Sequence, residues 1–437
     1  MESWARKKTR KRRALEILAV IVFYIFIAAA LIALTLMDVH GKQPEGPQIT
    51  SLVKEKEPHG IFRDPDGHTY IIKHGVMQFG WVRWKGATYY CHKTGSKNYP
   101  RGSATRGQMR VKRGKFYAFA GADCKQIKED YSMKIVNEEN HKPKKYPISK
   151  EFGFYKKYKL PFNELVFVNA DRIMGVLPKA IRGTKKVDVK TKKIKSYDGE
   201  MIKILTFEPK EVKTDKILLY VHGGCFVYRG ALNHFNFCEK LAANGLCKVV
   251  YVDYRLAYKH KYPTSIEDAF AAYKDIIKNK NDNNKILVCG DSAGGCIAVD
   301  VIRKAKENGL YIPDCLLLLY PVLDKRMKTK SMREFTDTPI WNSILNQKMW
   351  DLYLKDNKDY ISPGEMKDVS FMPKTYIETA EFDCLRDEAI EFAEKLKKAN
   401  VEVILNETKK TMHGYDLKNG KITREMVKKR MELISKI

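Results

Sequence analysis

The chain has 437 residues, enough for a large core and more than one domain. Its 44% hydrophobic content and 24 tyrosines exclude a disordered polymer. The formal net charge of +29 points to anionic surroundings, membrane headgroups or phosphate-rich polymers; no zinc-finger spacing and no RNP-type aromatic string supports nucleic acid as a partner. The first element is charged. "ARKKTRKRR" puts seven basic residues before Ala14. Ile17 to Met37 then runs without a charge, long enough to cross a hydrocarbon core as a helix. The basic flank should stay in the cytoplasm and leave the C-terminal bulk outside. The expectation is a basic tail over 1–13 and an uncleaved, single-pass signal anchor over 14–37. A cleaved leader has a shorter apolar region followed by small residues, whereas Ala28 to Ala30 lie inside this run. Residues 38–58, with "GKQPEGPQ" and "KEKEP", read as a linker.

Residues 59–122 have a different texture. "DG", "KG" and "RG" each precede a short run of β-formers: "HTYIIK", "ATYYCHK" and "KFYAFA". Turn signal followed by aromatic strand, repeated at about 20-residue spacing, predicts a small all-β module of hairpins. The stretches "GWVRWKGATYYCHKTG" and "RVKRGKFYAF" resemble the aromatic cell-wall-binding repeats of the choline- and glucan-binding type. That resemblance implies exposed aromatics that hold a wall ligand, with Trp81, Trp84, Tyr89, Tyr90, Phe116 and Tyr117 as candidates. Indole and phenol faces attract quaternary ammonium and cover sugar C–H surface; the same aromatics could instead form the hairpin core.

Residues 123–160 are polar, basic and proline-containing, and read as a second linker. "NELVFVNADRIMGVLPKAI" reads as an amphipathic helical cap. From about 185 onward, apolar runs alternate with helical patterns. The strands are "MIKILTF", "KILLYVH", "KVVYVDY", "KILVCG", "CLLLLYP", "KTYIETA" and "VEVILNE". This predicts an α/β domain over 161–437, a largely parallel sheet covered by helices. The alternation breaks at about 325–370, where "NSILNQKMWDLYL" suggests a helical, lid-like insertion. Nine cysteines are scattered with no CxxC pair, which supports neither a zinc site nor a disulfide framework. They read as small buried hydrophobes.

The chemistry concentrates in three places. "CGDSAGGC" sets Gly290-Asp291-Ser292-Ala293-Gly294 between a strand and a helix. GxSxG in that setting is a nucleophile elbow, a sharp turn that lifts a serine above the sheet. Such a serine needs a base and the base an orienter, in the chain order serine, acid, histidine. Only His413 follows Ser292; the other nine histidines precede it. The acid is sought after "KTYIETA", where Asp383 stands nearer the strand end than Asp387, which falls in the first turn of the following helix, and Glu381 is a third candidate. "YVHGGCFVYRG" follows a strand and precedes a helix, the place from which backbone N–H groups meet an oxyanion. Gly223 and Gly224, with Ala293, are the expected donors. His222 does not fit the order and is expected to brace the loop; Cys225 is expected to pack.

Residues 215–437 resemble the hormone-sensitive-lipase-like branch of the α/β-hydrolases through "HGGCFVYRG", "VDYRLAYKHKYPTSIEDA", "GDSAGG", "YPVLD", "EFDCLRDEA" and "HGY". The resemblance implies an α/β-hydrolase fold and hydrolysis of short acyl esters through an acyl-serine on Ser292. It also implies His413 as base and then acid and Asp383 as orienter; no metal or cofactor is expected. Cys225 stands where that family often has a third glycine, and Tyr258 where proline is common. With the aromatic module, the expected substrate is an acyl ester on cell-wall polysaccharide or teichoic acid, the membrane being engaged through the N-terminal helix. A serine peptidase, an esterase for small diffusing substrates, or a surface-binding protein without activity are the rival expectations.

Overall fold

The computed structural model describes residues 146–437, apart from 212, 213, 356 and 358, and mainly the strand residues between 60 and 127. The chain divides between His141 and Lys142 into two compact units. The apolar run Ile17–Met37, with the tail and first linker, lies outside the described residues. Among the described residues no helix is long and apolar enough to cross a membrane.

In the first unit, β1 (Gly60–Arg63), β2 (Thr69–Lys73) and β3 (Val76–Met77) form one antiparallel sheet. β4 (Gly80–Trp84) pairs with β5 (Ala87–Cys91), and β6 (Met109–Lys112) with β7 (Lys115–Phe119), which also pairs with β8 (Gln126–Ile127). Trp84 faces Ala87 and Lys112 faces Lys115 in register. Strand alternation then sorts the aromatics. Tyr89 lies opposite Val82 and is 1% exposed, packed with Ile71, Cys91 and Ala104. Its expected role as a ligand platform is therefore corrected: it is core of the hairpins. Tyr90, its neighbour on the other face, is half-buried. Trp84 is partly buried against the same cluster, with the Lys73 ammonium 5.8 Å from its ring. The side chains of Trp81, Phe116 and Tyr117 lie outside the described residues.

The second unit is built on an eight-stranded sheet of order β16-β15-β14-β13-β11-β12-β10-β9. Its strands are β9 (Val187–Lys195), β10 (Met201–Pro209), β11 (Lys216–Val221), β12 (Lys248–Asp253), β13 (Lys285–Asp291), β14 (Cys315–Leu319), β15 (Lys374–Phe382) and β16 (Val403–Met412). β11 to β16 pair in parallel; β9 and β10 pair antiparallel at one edge. The helices are α1 (Glu164–Met174), α2 (Leu177–Ala180), α3 (Leu232–Ala243), α4 (Thr264–Asn279), α5 (Ala293–Glu307), α6 (Lys330–Glu334), α7 (Ser343–Leu354), α8 (Arg386–Lys398) and α9 (Lys421–Ser435). Two large apolar clusters bury the sheet and its covering helices, one containing α4, α5 and α8 residues and the other α3 and α9 residues. β11, β13 and β14 are continuous apolar runs because both their faces are covered. Eight cysteines described in the structure are buried and unbridged; Cys124 lies outside it.

Three elements differ from the sequence expectation. β9 is a lysine-rich edge strand in which Val187 and Ile194 turn inward. The C-terminal helix α9 has no side-chain cap of its own. Instead the Glu151 carboxylate accepts from the N–H groups of Lys421 and Ile422, both at 3.0 Å. That Glu151 belongs to a 3₁₀ segment, Lys150–Lys156, inside the stretch expected as a linker. Ile148 and Phe152 there are 4% and 0% exposed and join the second apolar cluster, so residues 146–160 are part of the α/β unit.

Candidate active site

The site sits where the C-terminal ends of the parallel strands meet the loops that follow them. β13 ends at Asp291 and α5 begins at Ala293, which leaves Ser292 alone in the turn with φ of 52°. A non-glycine residue held there stores about 1–3 kcal/mol of strain, which the surrounding packing maintains. The packing is close: a Cβ on Gly294 would lie 2.1 Å from the Val221 carbonyl oxygen, so no side chain fits there. The Ser292 N–H donates to the Leu319 carbonyl (2.9 Å) and its carbonyl accepts from Val322 (2.9 Å), fixing the turn between strands.

Three residues from three loops meet at this turn. Ser292 Oγ lies 2.8 Å from His413 Nε2, and His413 Nδ1 lies 2.7 Å from Asp383 Oδ2. With a neutral imidazole, Nδ1–H donates to the carboxylate and Nε2 accepts the serine proton. Asp383 also accepts from the Leu385 N–H at 3.0 Å. All three side chains are buried, at 6%, 5% and 1% exposure. The other acids point elsewhere. Asp387 accepts from Ser331 N–H (2.7 Å) and pairs with Arg386 (2.7 Å); Glu381 accepts from Lys410 N–H (2.6 Å).

The loop after β11 runs against the elbow. A Cβ on Gly223 would lie 3.0 Å from Ser292 Cβ. Here one sequence expectation needs correcting. The Gly223 N–H is not free to meet an oxyanion, because it donates to Asp291 Oδ1 at 2.9 Å. The next two N–H groups of the loop, those of Gly224 and Cys225, have no protein acceptor, and Ala293 at the first turn of α5 adds another. Cys225 holds φ of 56°, so its backbone takes a glycine-like course although it carries a side chain. That side chain is 5% exposed, and burial pushes its thiol well above the usual range, which makes it inert.

His222 is fully buried, stacked on Tyr254 at 4.2 Å, and its Nδ1–H donates to the Gly223 carbonyl at 2.6 Å. Burial, then the nearby His234 charge, bring its pKa down to about 3, so it braces the loop as a neutral ring. Sequence reading missed the group that holds this loop to the elbow. Asp291 accepts from Tyr220 OH (2.8 Å) as well as Gly223, and faces His234 Nε2 at 3.3 Å. Burial opposes the Asp291 charge, but the His234 charge and these hydrogen bonds outweigh it and bring the carboxyl down to about 2. Its place beside the serine in "GDSAG" was the available signal. Above the site, Trp341 lies 6.2 Å from the His413 ring and 6.2 Å from Phe162, which meets Phe167 of α1 at 4.9 Å. Asp171 of α1 takes hydrogen bonds from Arg229 and Tyr258, so the loop "HGGCFVYRG" also holds the cap helix. Among the described residues no cluster of three or more His, Cys, Asp or Glu could hold a metal ion.

The model of the alpha/beta hydrolase fold family matches residues 218–417. Esterase LipI of Mycobacterium tuberculosis is 34% identical over 208 residues, 46% of this chain and 65% of that protein. Carboxylesterase NlhH of the same species is 33% identical over 237 residues, 50% of this chain and 73% of that protein. Among solved structures, a bacterial heroin esterase superimposes with TM-score 0.57 at 27% identity, covering 66% of this chain and 98% of that one. The chain thus spans 65% and 73% of the length of these two curated relatives.

Proposed function

This chain belongs to the alpha/beta hydrolase fold family, and we propose that its C-terminal unit is a serine carboxylesterase. The observation that carries this reading is the relay Ser292–His413–Asp383, joined by hydrogen bonds of 2.8 and 2.7 Å. In the reaction His413 Nε2 takes the Ser292 proton while Oγ attacks the ester carbonyl. The imidazolium formed is held by Asp383. The carbonyl oxygen gains negative charge and meets the N–H groups of Gly224, Cys225 and Ala293; each such donor typically contributes about 10²–10³ in rate. Collapse breaks the ester C–O bond, His413 returns the proton to the departing alcohol, and the acyl group remains on Ser292. Water, deprotonated by the same imidazole, then releases the acid. A fluorophosphonate probe and a panel of p-nitrophenyl esters test this: labelling and turnover are expected, and both vanish in Ser292→Ala. Turnover that survives Ser292→Ala would sink the reading.

The finer part of the proposal concerns place and substrate. The basic tail and the uncharged run Ile17–Met37 anchor the chain in a membrane, with the α/β unit outside. The substrate is a short acyl, acetyl-like ester on an anionic wall polysaccharide or teichoic acid. The net charge of +29 and the aromatic hairpins support this choice. Acetate release from purified wall, above the level of Ser292→Ala, is the expected result; equal release by the two proteins would remove this substrate.

A further inference from the structure

Beside His413 lies a buried charged network that the reaction does not touch. Glu378 of β15 is 0% exposed and Arg430 of α9 is 1% exposed. Arg430 Nη2 donates to Glu378 Oε1 at 2.5 Å, Nε donates to Oε2 at 3.1 Å, and Nη1 reaches Asp416 Oδ2 at 3.1 Å. Tyr415 OH donates to Glu378 Oε1, and Tyr376 OH to Oε2 at 2.9 Å. Asp416 accepts in turn from Tyr320 OH at 2.5 Å. The Tyr320 ring stands edge-on to the His413 imidazole, centroids 5.0 Å apart at 70°, and the Tyr320 N–H donates to the Glu378 carbonyl at 2.6 Å.

A fully buried ion pair is a poor source of stability, since losing water costs each charge about what their attraction returns. Its value lies in direction, because several hydrogen bonds at fixed angles favour one arrangement. The residues it holds are informative. Tyr415 and Asp416 follow His413 by two and three positions, across Gly414 in the left-handed region at φ 62°. A turn pivoting on glycine has little stiffness of its own. We propose that Glu378 and Arg430 are positioning residues that lock the turn His413–Asp416, so that α9 sets where the His413 imidazole stands relative to Ser292.

This inference rests on the esterase reading, and its test separates the two. Tyr415→Phe removes the hydroxyl, which donates to Glu378 and accepts from Arg430 Nη2 at 3.3 Å, and keeps the ring. Glu378→Gln combined with Arg430→Met removes both charges of the pair and leaves Asp416 the Tyr320 hydroxyl as its partner. Each variant of the full chain is assayed with p-nitrophenyl acetate, and the rate of Ser292 labelling by a fluorophosphonate is measured alongside. Displacing a base by about an ångström costs up to about a hundredfold in rate. The expected result is therefore a kcat lowered about tenfold to a hundredfold, KM within about twofold, and slowed labelling, in proteins that still melt cooperatively. Unchanged kcat and labelling in folded variants, or a raised KM at unchanged kcat, would overturn the inference. If the double variant does not fold, Tyr415→Phe decides alone. If the wild type hydrolyses no ester, the esterase reading fails, and the labelling rates still report the His413–Ser292 geometry.

Discussion

Ser292, at φ 52°, and Cys225, at φ 56°, are both held in a backbone region that favours glycine, and for opposite ends. At Ser292 the strained turn aims the side chain at His413; at Cys225 it presents a main-chain N–H and turns the side chain into the core. Their substitutions should therefore separate widely. Ser292→Ala is expected to lower kcat by about 10⁴-fold or more. Cys225→Ala, which keeps the N–H, should stay within a few fold, and folded Cys225 should resist alkylation. A Cys225→Ala enzyme as dead as Ser292→Ala would refute that division. His222 carries a pH prediction. Its imidazole titrates near 3 when folded, through burial and the His234 charge, against about 6.5 in an unfolded chain. The folded value of this base is depressed, so the unfolded chain binds the extra proton between the two. The stabilisation is fully present above about pH 6.5 and is lost as pH falls toward 3. Thermal midpoints from pH 7 to 4 should fall less steeply in His222→Asn; parallel slopes would contradict the assignment.

Among the elements, the 3₁₀ segment Lys150–Lys156 has the widest reach. Glu151 caps α9, and Phe152 meets the Tyr415 ring edge-on at 6.4 Å, beside the turn that carries His413. Phe152→Ala should cost about 3–5 kcal/mol of stability, the usual cost of emptying a buried aromatic site; urea unfolding measures it. Glu151→Gln keeps an acceptor but loses the charge at the helix start, worth about 0.3–1 kcal/mol. This element could not be read from its own sequence. "YPISKEFGFYKKYK" is short, basic and proline-containing, and its apolar residues have no helical or strand period. The same applies to β9, where lysines on an edge strand hide the alternation of Val187 and Ile194. It applies to α9 as well, whose cap is supplied by a residue 270 positions away.

At the scale of the whole molecule, the division between His141 and Lys142 predicts where the chain can be cut. A form beginning at residue 142 should hydrolyse p-nitrophenyl acetate with kcat close to that of the full chain. One beginning at residue 161 loses Ile148, Glu151 and Phe152 and should melt lower and turn over less. Equal melting temperatures would show that the segment contributes nothing. The positive charge is a property of the whole chain, and it bears on which polymers or surfaces the protein meets rather than on its fold.

Some of this was determined by local sequence alone. Apolar runs of strand length between helical periods dictate a covered parallel sheet, because such runs must bury both faces. GxSxG between a strand and a helix identifies Ser292, and chain order leaves His413 as the one histidine after it, whatever the packing. Other features depend on distances across the fold, which no local pattern encodes. The Asp291 carboxylate lies within reach of the Gly223 N–H and removes it from the set of free donors, which leaves those of Gly224 and Cys225. The facing of Val82 and Tyr89 decides that this tyrosine is core. The meeting of β15 and α9 brings Glu378 to Arg430 beside the imidazole, 52 residues apart in the chain. Each is a contact between elements remote in sequence, and a hydrogen bond or a buried face exists only once the tertiary fold has brought its two halves together.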